Sequence, residues 1–148
     1  MRAHPLVLLV EDEPDILMVL RVVLEMNGYE TALAADGETA LERFDAERPD
    51  LVLLDLMLPV MDGWTVLAEM RARPSPPPVI ICSAARSARD VEVAADRGAE
   101  AILPKPLEMD LLLETIERVL SSVKRSWLES PDLLGLNDQG PIAGIQPA

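Results

Sequence analysis

Cysteine is nearly missing from these 148 residues: Cys82 stands alone, so no internal disulfide can form. Basic residues are also scarce, 13 Lys and Arg against 26 Asp and Glu, for a net charge of -13. That charge opposes polyanionic surfaces, and the basic residues are scattered, with Lys124 and Arg125 the one close set near the end. Nucleic acid and membrane partners are therefore not expected. No apolar run approaches the roughly 20 residues that a membrane-spanning helix needs. The opening MRAHPLVLLV has too brief an apolar stretch, behind a proline, for a signal peptide. Together these absences point to a cytoplasmic protein. His4, the single histidine, lies in the N-terminal arm without a second ligand and reads as part of a solvated terminus. Cys82 sits inside an apolar run, where a buried structural thiol is expected.

What is present suffices for one core, with 49% hydrophobic residues. Five short apolar runs recur: Leu6 to Val10, Tyr29 to Ala34, Leu51 to Leu54, Val79 to Cys82 and Ala101 to Leu103. All but the second are nearly continuous in apolar character, as expected of parallel strands covered on both faces; the second alternates and is placed at an edge. Between them, helical spacing covers Glu13 to Met26, Glu38 to Glu47, Trp64 to Ala72, Ala88 to Arg97 and Leu107 to Val123. Asn27-Gly28 and Arg97-Gly98 supply C-terminal stops, Asp36-Gly37 a turn, and Pro74 to Pro78 a stiff bridge. The class is α/β: a five-stranded parallel sheet, doubly wound by five βα units, whose ligands bind beyond the carboxyl ends of the strands. One domain spans 1-124. Residues 125-148, rich in Pro and Gly, read as a flexible tail, although Trp127, Leu128, Leu133, Leu134 and Leu136 leave docking open.

Acids collect at the strand ends. The first strand ends in LVEDE, delivering Glu11 and Asp12, and the third ends in LLLDL, delivering Asp55 to the same edge. Three converging carboxylates repel unless a cation compensates, and hard oxygen ligands suit Mg2+. The fourth strand ends in Ser83 and the fifth runs into Pro104-Lys105-Pro106, adding a hydroxyl and an ammonium to that rim. A carboxylate nucleophile, a metal, a hydroxyl and a lysine meet the demands of phosphoryl transfer, with an acyl phosphate on Asp55 as product.

At these residues the chain resembles the response-regulator receiver domains of two-component signalling, over about Leu6 to Leu120 and of the stand-alone type. Glu11 and Asp12 match the family's acidic pair, Asp55 its phosphoacceptor within DLMLPVMDG, Ser83 its switch hydroxyl and Lys105 its lysine in KP. Pro59 and Asp62-Gly63 keep the family's spacing after the acceptor. The resemblance implies a flavodoxin-like fold and Mg2+ held by Asp12, Asp55 and the backbone carbonyl of Met57, with Glu11 acting through water. It also implies a cis Lys105-Pro106 peptide and a histidine kinase or histidine phosphotransfer protein as donor. Switched contacts with an unidentified downstream protein follow, and a homodimer through the fourth and fifth helices is compatible.

Ile102 departs from the family's Tyr or Phe, so loop displacement and helix repacking are expected to carry the signal without a turning ring. Met57 and Ala85 stand where the family tunes acyl-phosphate hydrolysis; neither positions water, and slow dephosphorylation is expected. Singly, each motif has a plainer reading: Glu11 and Asp12 as a helix N-terminal charge pair, Asp55 as a turn residue, Lys105 as a surface lysine. Asp62 reads as a turn and cap before Trp64, Met57 and Met61 as packing residues, and Arg86 and Arg89 as an exposed helix start. Rival functions are a phosphorylation-independent docking module and a magnesium-dependent phosphohydrolase with an Asp nucleophile. The latter wants an acid two residues after the nucleophile, where Met57 stands. A DNA-binding regulator is a third, disfavoured by charge and by the short tail.

Overall fold

The computed structural model describes residues 3–84 and 87–129, with side chains to residue 123. Five strands form one parallel sheet: β1 Leu6–Val10, β2 Glu30–Ala34, β3 Leu51–Asp55, β4 Val79–Ser83 and β5 Ala101–Pro104. Their order is β2-β1-β3-β4-β5. Five helices cross between them: α1 Pro14–Met26, α2 Gly37–Glu47, α3 Gly63–Arg71, α4 Ala88–Asp96 and α5 Met109–Glu129. This is the doubly wound arrangement the alternation predicts, in the flavodoxin-like form the resemblance implies.

Strand pleating sorts the apolar residues onto two faces. Leu8, Val10, Val52 and Leu54 face a cluster completed by Phe44 of α2, Leu67 and Met70 of α3 and Ala94 of α4. Val7, Leu9, Leu51 and Leu53 face the other way, onto Leu20 and Leu24 of α1 and Leu112, Ile116 and Val119 of α5. Full burial of each Leu or Ile is worth about 1.5–3 kcal/mol, and both faces contribute, which is why the central strands are apolar throughout.

The local signals hold at the turns. Asp36 caps α2 by accepting the Thr39 N–H at 2.7 Å, and Asp62 caps α3 by accepting that of Thr65 at 3.0 Å. Gly28 and Gly98 take φ of +90° and +91° after α1 and α4. Two expectations are corrected. β5 was expected to be covered on both faces, but of its four residues only Leu103 is fully buried, because β5 is the second edge strand and lacks a neighbour on one side. α5 runs to Glu129, past the expected end at Val123, and so includes the first residues assigned to the tail. Nothing in 124–129 breaks a helix, and the first proline after it is Pro131. The rest of the tail, with Leu133, Leu134 and Leu136, lies outside the described residues.

Candidate functional site

The order of strands explains why distant motifs meet. β1 has β2 on one side and β3 on the other, so the connection reverses direction there and opens a crevice at the carboxyl ends. Register aligns Val10 with Leu54, so Glu11 and Asp55 leave the sheet side by side. Asp55 aligns with Cys82 and Ser83 with Pro104, which brings Ser83 and Lys105 to the same rim. Strands about 4.8 Å apart separate β5 from β1 by about 14 Å. Two long side chains bridge that gap: Lys105 Nζ lies 2.6 Å from Glu11 Oε1 and 3.0 Å from Asp55 Oδ2.

Asp55 is held from both ends. Its Oδ1 accepts the Met57 N–H at 3.0 Å while Oδ2 accepts from Lys105. It is 4% exposed, Glu11 3% and Ser83 5%, whereas Asp12 is open to solvent. Glu11 Oε2 also accepts the Glu13 N–H at 3.3 Å. The main chain of Ser83 accepts the Lys105 N–H at 2.9 Å, fixing the lysine to β4, and the Lys105-Pro106 peptide is cis. The β3–α3 loop follows at once. There Val60, 96% exposed, takes φ +69° between Pro59 and Met61, whose carbonyl and N–H meet at 2.7 Å in a γ-turn.

Charge at the rim is unbalanced. Burial raises the Glu11 carboxyl above its ordinary value; the Lys105 hydrogen bond and the Glu13 N–H oppose that rise without reversing it, and the neighbouring Asp55 adds to it. Burial pulls Lys105 down, but its hydrogen bonds to Glu11 and Asp55 outweigh it and the ammonium ends above its ordinary value. One lysine thus serves two carboxylates, with Asp12 alongside. Burial pushes the Cys82 thiol up to about 12, the inert core cysteine expected.

The three acids fit a divalent cation. One carboxylate oxygen from each of Glu11, Asp12 and Asp55 lies within 4.8 Å of the others. Octahedral Mg2+ needs its oxygens about 2.9 Å apart when adjacent and about 4.2 Å apart when opposite, so the closure required is small.

All five predicted side chains, Glu11, Asp12, Asp55, Ser83 and Lys105, fall on this rim, and Met57 adjoins it through its N–H, with its side chain 74% exposed. Glu11 is also the closest partner of Lys105, a contact that the strand order, unknown from sequence, decides. Gly63 was read only as spacing. A Cβ there would lie 2.5 Å from Leu56 Cα and 2.6 Å from the Asp55 carbonyl oxygen, so the start of α3 rests directly on the Asp55–Leu56 backbone. Ile102 is half-buried against the cluster of Leu8 and Val10. Ala85 and Arg86 lie outside the described residues.

A parallel sheet of this order with acids at its carboxyl edge defines a receiver-type fold, and the comparisons agree. The chain belongs to the response regulator receiver domain family, which it matches over residues 7–117. It is 37% identical over 82% of its length to the transcriptional regulatory protein PrrA of Mycobacterium tuberculosis, of which 51% is covered. It is 33% identical over 90% of its length to the alkaline phosphatase synthesis transcriptional regulatory protein PhoP of Bacillus subtilis, of which 54% is covered. The chain therefore spans about half the length of the curated relatives it matches. Among solved structures, the signal receiver domain of a putative Luxo repressor protein from Vibrio parahaemolyticus superimposes with a TM-score of 0.80 at 30% identity, covering 86% of this chain and 98% of that one. A CheY-like receiver domain from Methanospirillum hungatei gives 0.78 at 29% identity, covering 84% and 99%. Another relative is described as the DNA-binding response regulator MtrA of Mycolicibacterium smegmatis, so the expectation of no nucleic-acid partner gains no support from these proteins. Among the described residues, no helix is long and apolar enough to cross a membrane.

Proposed function

We propose that Asp55 accepts a phosphoryl group from the phosphohistidine of a histidine kinase or histidine phosphotransfer protein, and that the modified domain changes its protein contacts. The observation that carries this is the Asp55 carboxylate itself: buried at a strand end, oriented by the Met57 N–H and Lys105, and one of three clustered acids. A carboxylate oxygen of Asp55 forms the new O–P bond as the P–N bond to the imidazole breaks, and the imidazole nitrogen keeps the electron pair. Lys105, already 3.0 Å from Asp55, neutralises charge on the transferred oxygens. Glu11 holds that lysine in place beforehand. The Ser83 hydroxyl, on the neighbouring strand, responds to the new phosphoryl group and carries its loop with it.

Asp12, Asp55 and the Met57 carbonyl are the Mg2+ ligands in this reading, with Glu11 alongside. When bound, Mg2+ supplies a hard cation that offsets the three acids and the phosphoryl oxygens. The chain modifies itself and turns over no external metabolite. It works in the cytoplasm through protein contacts, and its net charge of -13 argues against DNA contact by these residues.

Incubation with acetyl phosphate and Mg2+, followed by intact mass measurement, tests the reading. One phosphoryl adduct is expected on the wild type and none on Asp55→Asn. An unchanged wild-type mass, or an equal adduct on the variant, would refute it.

A further inference from the structure

α4 is anchored unevenly. Its N-terminal end is closed on itself by a capping box, Asp90 N–H to Ser87 Oγ at 3.2 Å and Ser87 N–H to Asp90 Oδ2 at 2.8 Å. Along its length only Ala94 is fully buried. At its C-terminal end the Arg97 guanidinium sits 4.9 Å from the centre of the Trp64 ring. Gly98 follows at φ +91° against the end of the Arg71 side chain, which reaches over from α3: a Cβ there would lie 2.8 Å from Arg71 Nε. Trp64 and Arg71 are seven residues apart on α3, two turns along one face, so both contacts grip the same helix side.

Trp64 is itself tied to Asp55. It is the second residue of α3, and the first, Gly63, donates its N–H to the Leu56 carbonyl at 3.0 Å and leaves no room for a Cβ against the Asp55 carbonyl. A continuous path thus runs from the backbone of Asp55 through Gly63 and Trp64 to Arg97, without passing through Ser83. The Trp64 indole and the Arg97 cation thus link the end of α4 to the strand that carries Asp55.

We propose that Arg97 is a positioning residue: stacked on Trp64, it fixes the C-terminal end of α4 to the Asp55–Gly63 segment, so that a change at Asp55 swings α4 about that end. The Ser87 end is the one that moves. This rests on Asp55 being the phosphoacceptor, but the anchor itself exists in the unmodified protein.

Residue-resolved amide hydrogen exchange on the full chain, with and without beryllofluoride and Mg2+ as an acyl-phosphate mimic, tests it. In the wild type, loading changes exchange over 88–92 and leaves 94–98 within about twofold. In Arg97→Ala the unloaded amides of 94–98 exchange about two- to fivefold faster, the factor an exposed cation–π contact carries, and the loading response spreads over the whole helix. Arg97→Lys, which keeps a cation over the ring, restores the wild-type pattern in part. Exchange in Arg97→Ala indistinguishable from wild type in both states would overturn the proposal. If acetyl phosphate adds no mass to the wild type, the phosphoacceptor reading fails separately, while the unloaded comparison still decides whether Arg97 anchors α4.

Discussion

α3 and α4 are both nine residues long, both carry a side-chain N-cap, and each follows a strand that ends in a residue of the site. Their packing is opposite. α3 buries Gly63, Val66, Leu67 and Met70, whereas α4 buries Ala94 alone and exposes Val91 by 39%. The helix after Asp55 is built into the core and the helix after Ser83 rests on it. A phosphoacceptor needs fixed geometry, because misplacement of a nucleophile by about 1 Å is costly. A responding element needs a low-cost alternative seat, and few buried contacts provide one.

The sharpest way to break this contrast is to empty α3. Leu67→Ala removes a fully buried side chain and should cost about 2–5 kcal/mol in urea denaturation. Gly63→Ala comes next: its Cβ meets the Leu56 Cα and the Asp55 carbonyl, so backbone must move, at about 1–3 kcal/mol, and phosphorylation of Asp55 should slow with it. On α4, Ser87→Ala deletes the cap that accepts the Asp90 N–H and should cost about 1 kcal/mol, read as faster exchange within α4. Val91→Ala, at a half-open position, should stay near 0.5 kcal/mol. Equal losses for Leu67→Ala and Val91→Ala would erase the distinction between the helices.

The smallest effect belongs to the ion pairs that tie Lys105, at the end of β5, to Glu11 and Asp55. The folded-state ammonium of Lys105 lies above its ordinary 10.5 despite burial, since the hydrogen bonds to Glu11 and Asp55 prevail. Its stabilisation is therefore fully present below about pH 10.5 and is lost as pH rises through the folded value. Thermal melts of the metal-free wild type should fall in that alkaline range, and Lys105→Met should flatten the fall.

Much of the fold is legible in the sequence because it is local or periodic. Continuous apolar runs mark buried strands, Asp62 announces the cap it makes, Asp36-Gly37 marks the turn before α2, and Gly28 and Gly98 sit where positive φ ends a helix. The five side chains of the rim are legible because each stands at a strand's carboxyl end. What escapes depends on which strands are neighbours. Glu11 pairs with Lys105 across two intervening strands, and the close approach of Gly63 to Asp55 exists only once α3 is docked. The same holds for Arg97 on Trp64, where two helices meet. The turn at Val60, a β-branched residue at φ +69°, runs against local preference and has no signal in the sequence.

The most direct measurement identifies the residue that carries phosphate. After incubation with acetyl phosphate and Mg2+, borohydride reduction converts an acyl phosphate on aspartate to homoserine, which peptide mapping can place. Conversion at Asp55 alone is predicted, with none at Asp12 or Asp62. Homoserine at either of those positions, or at none, would contradict Asp55 as the phosphoacceptor.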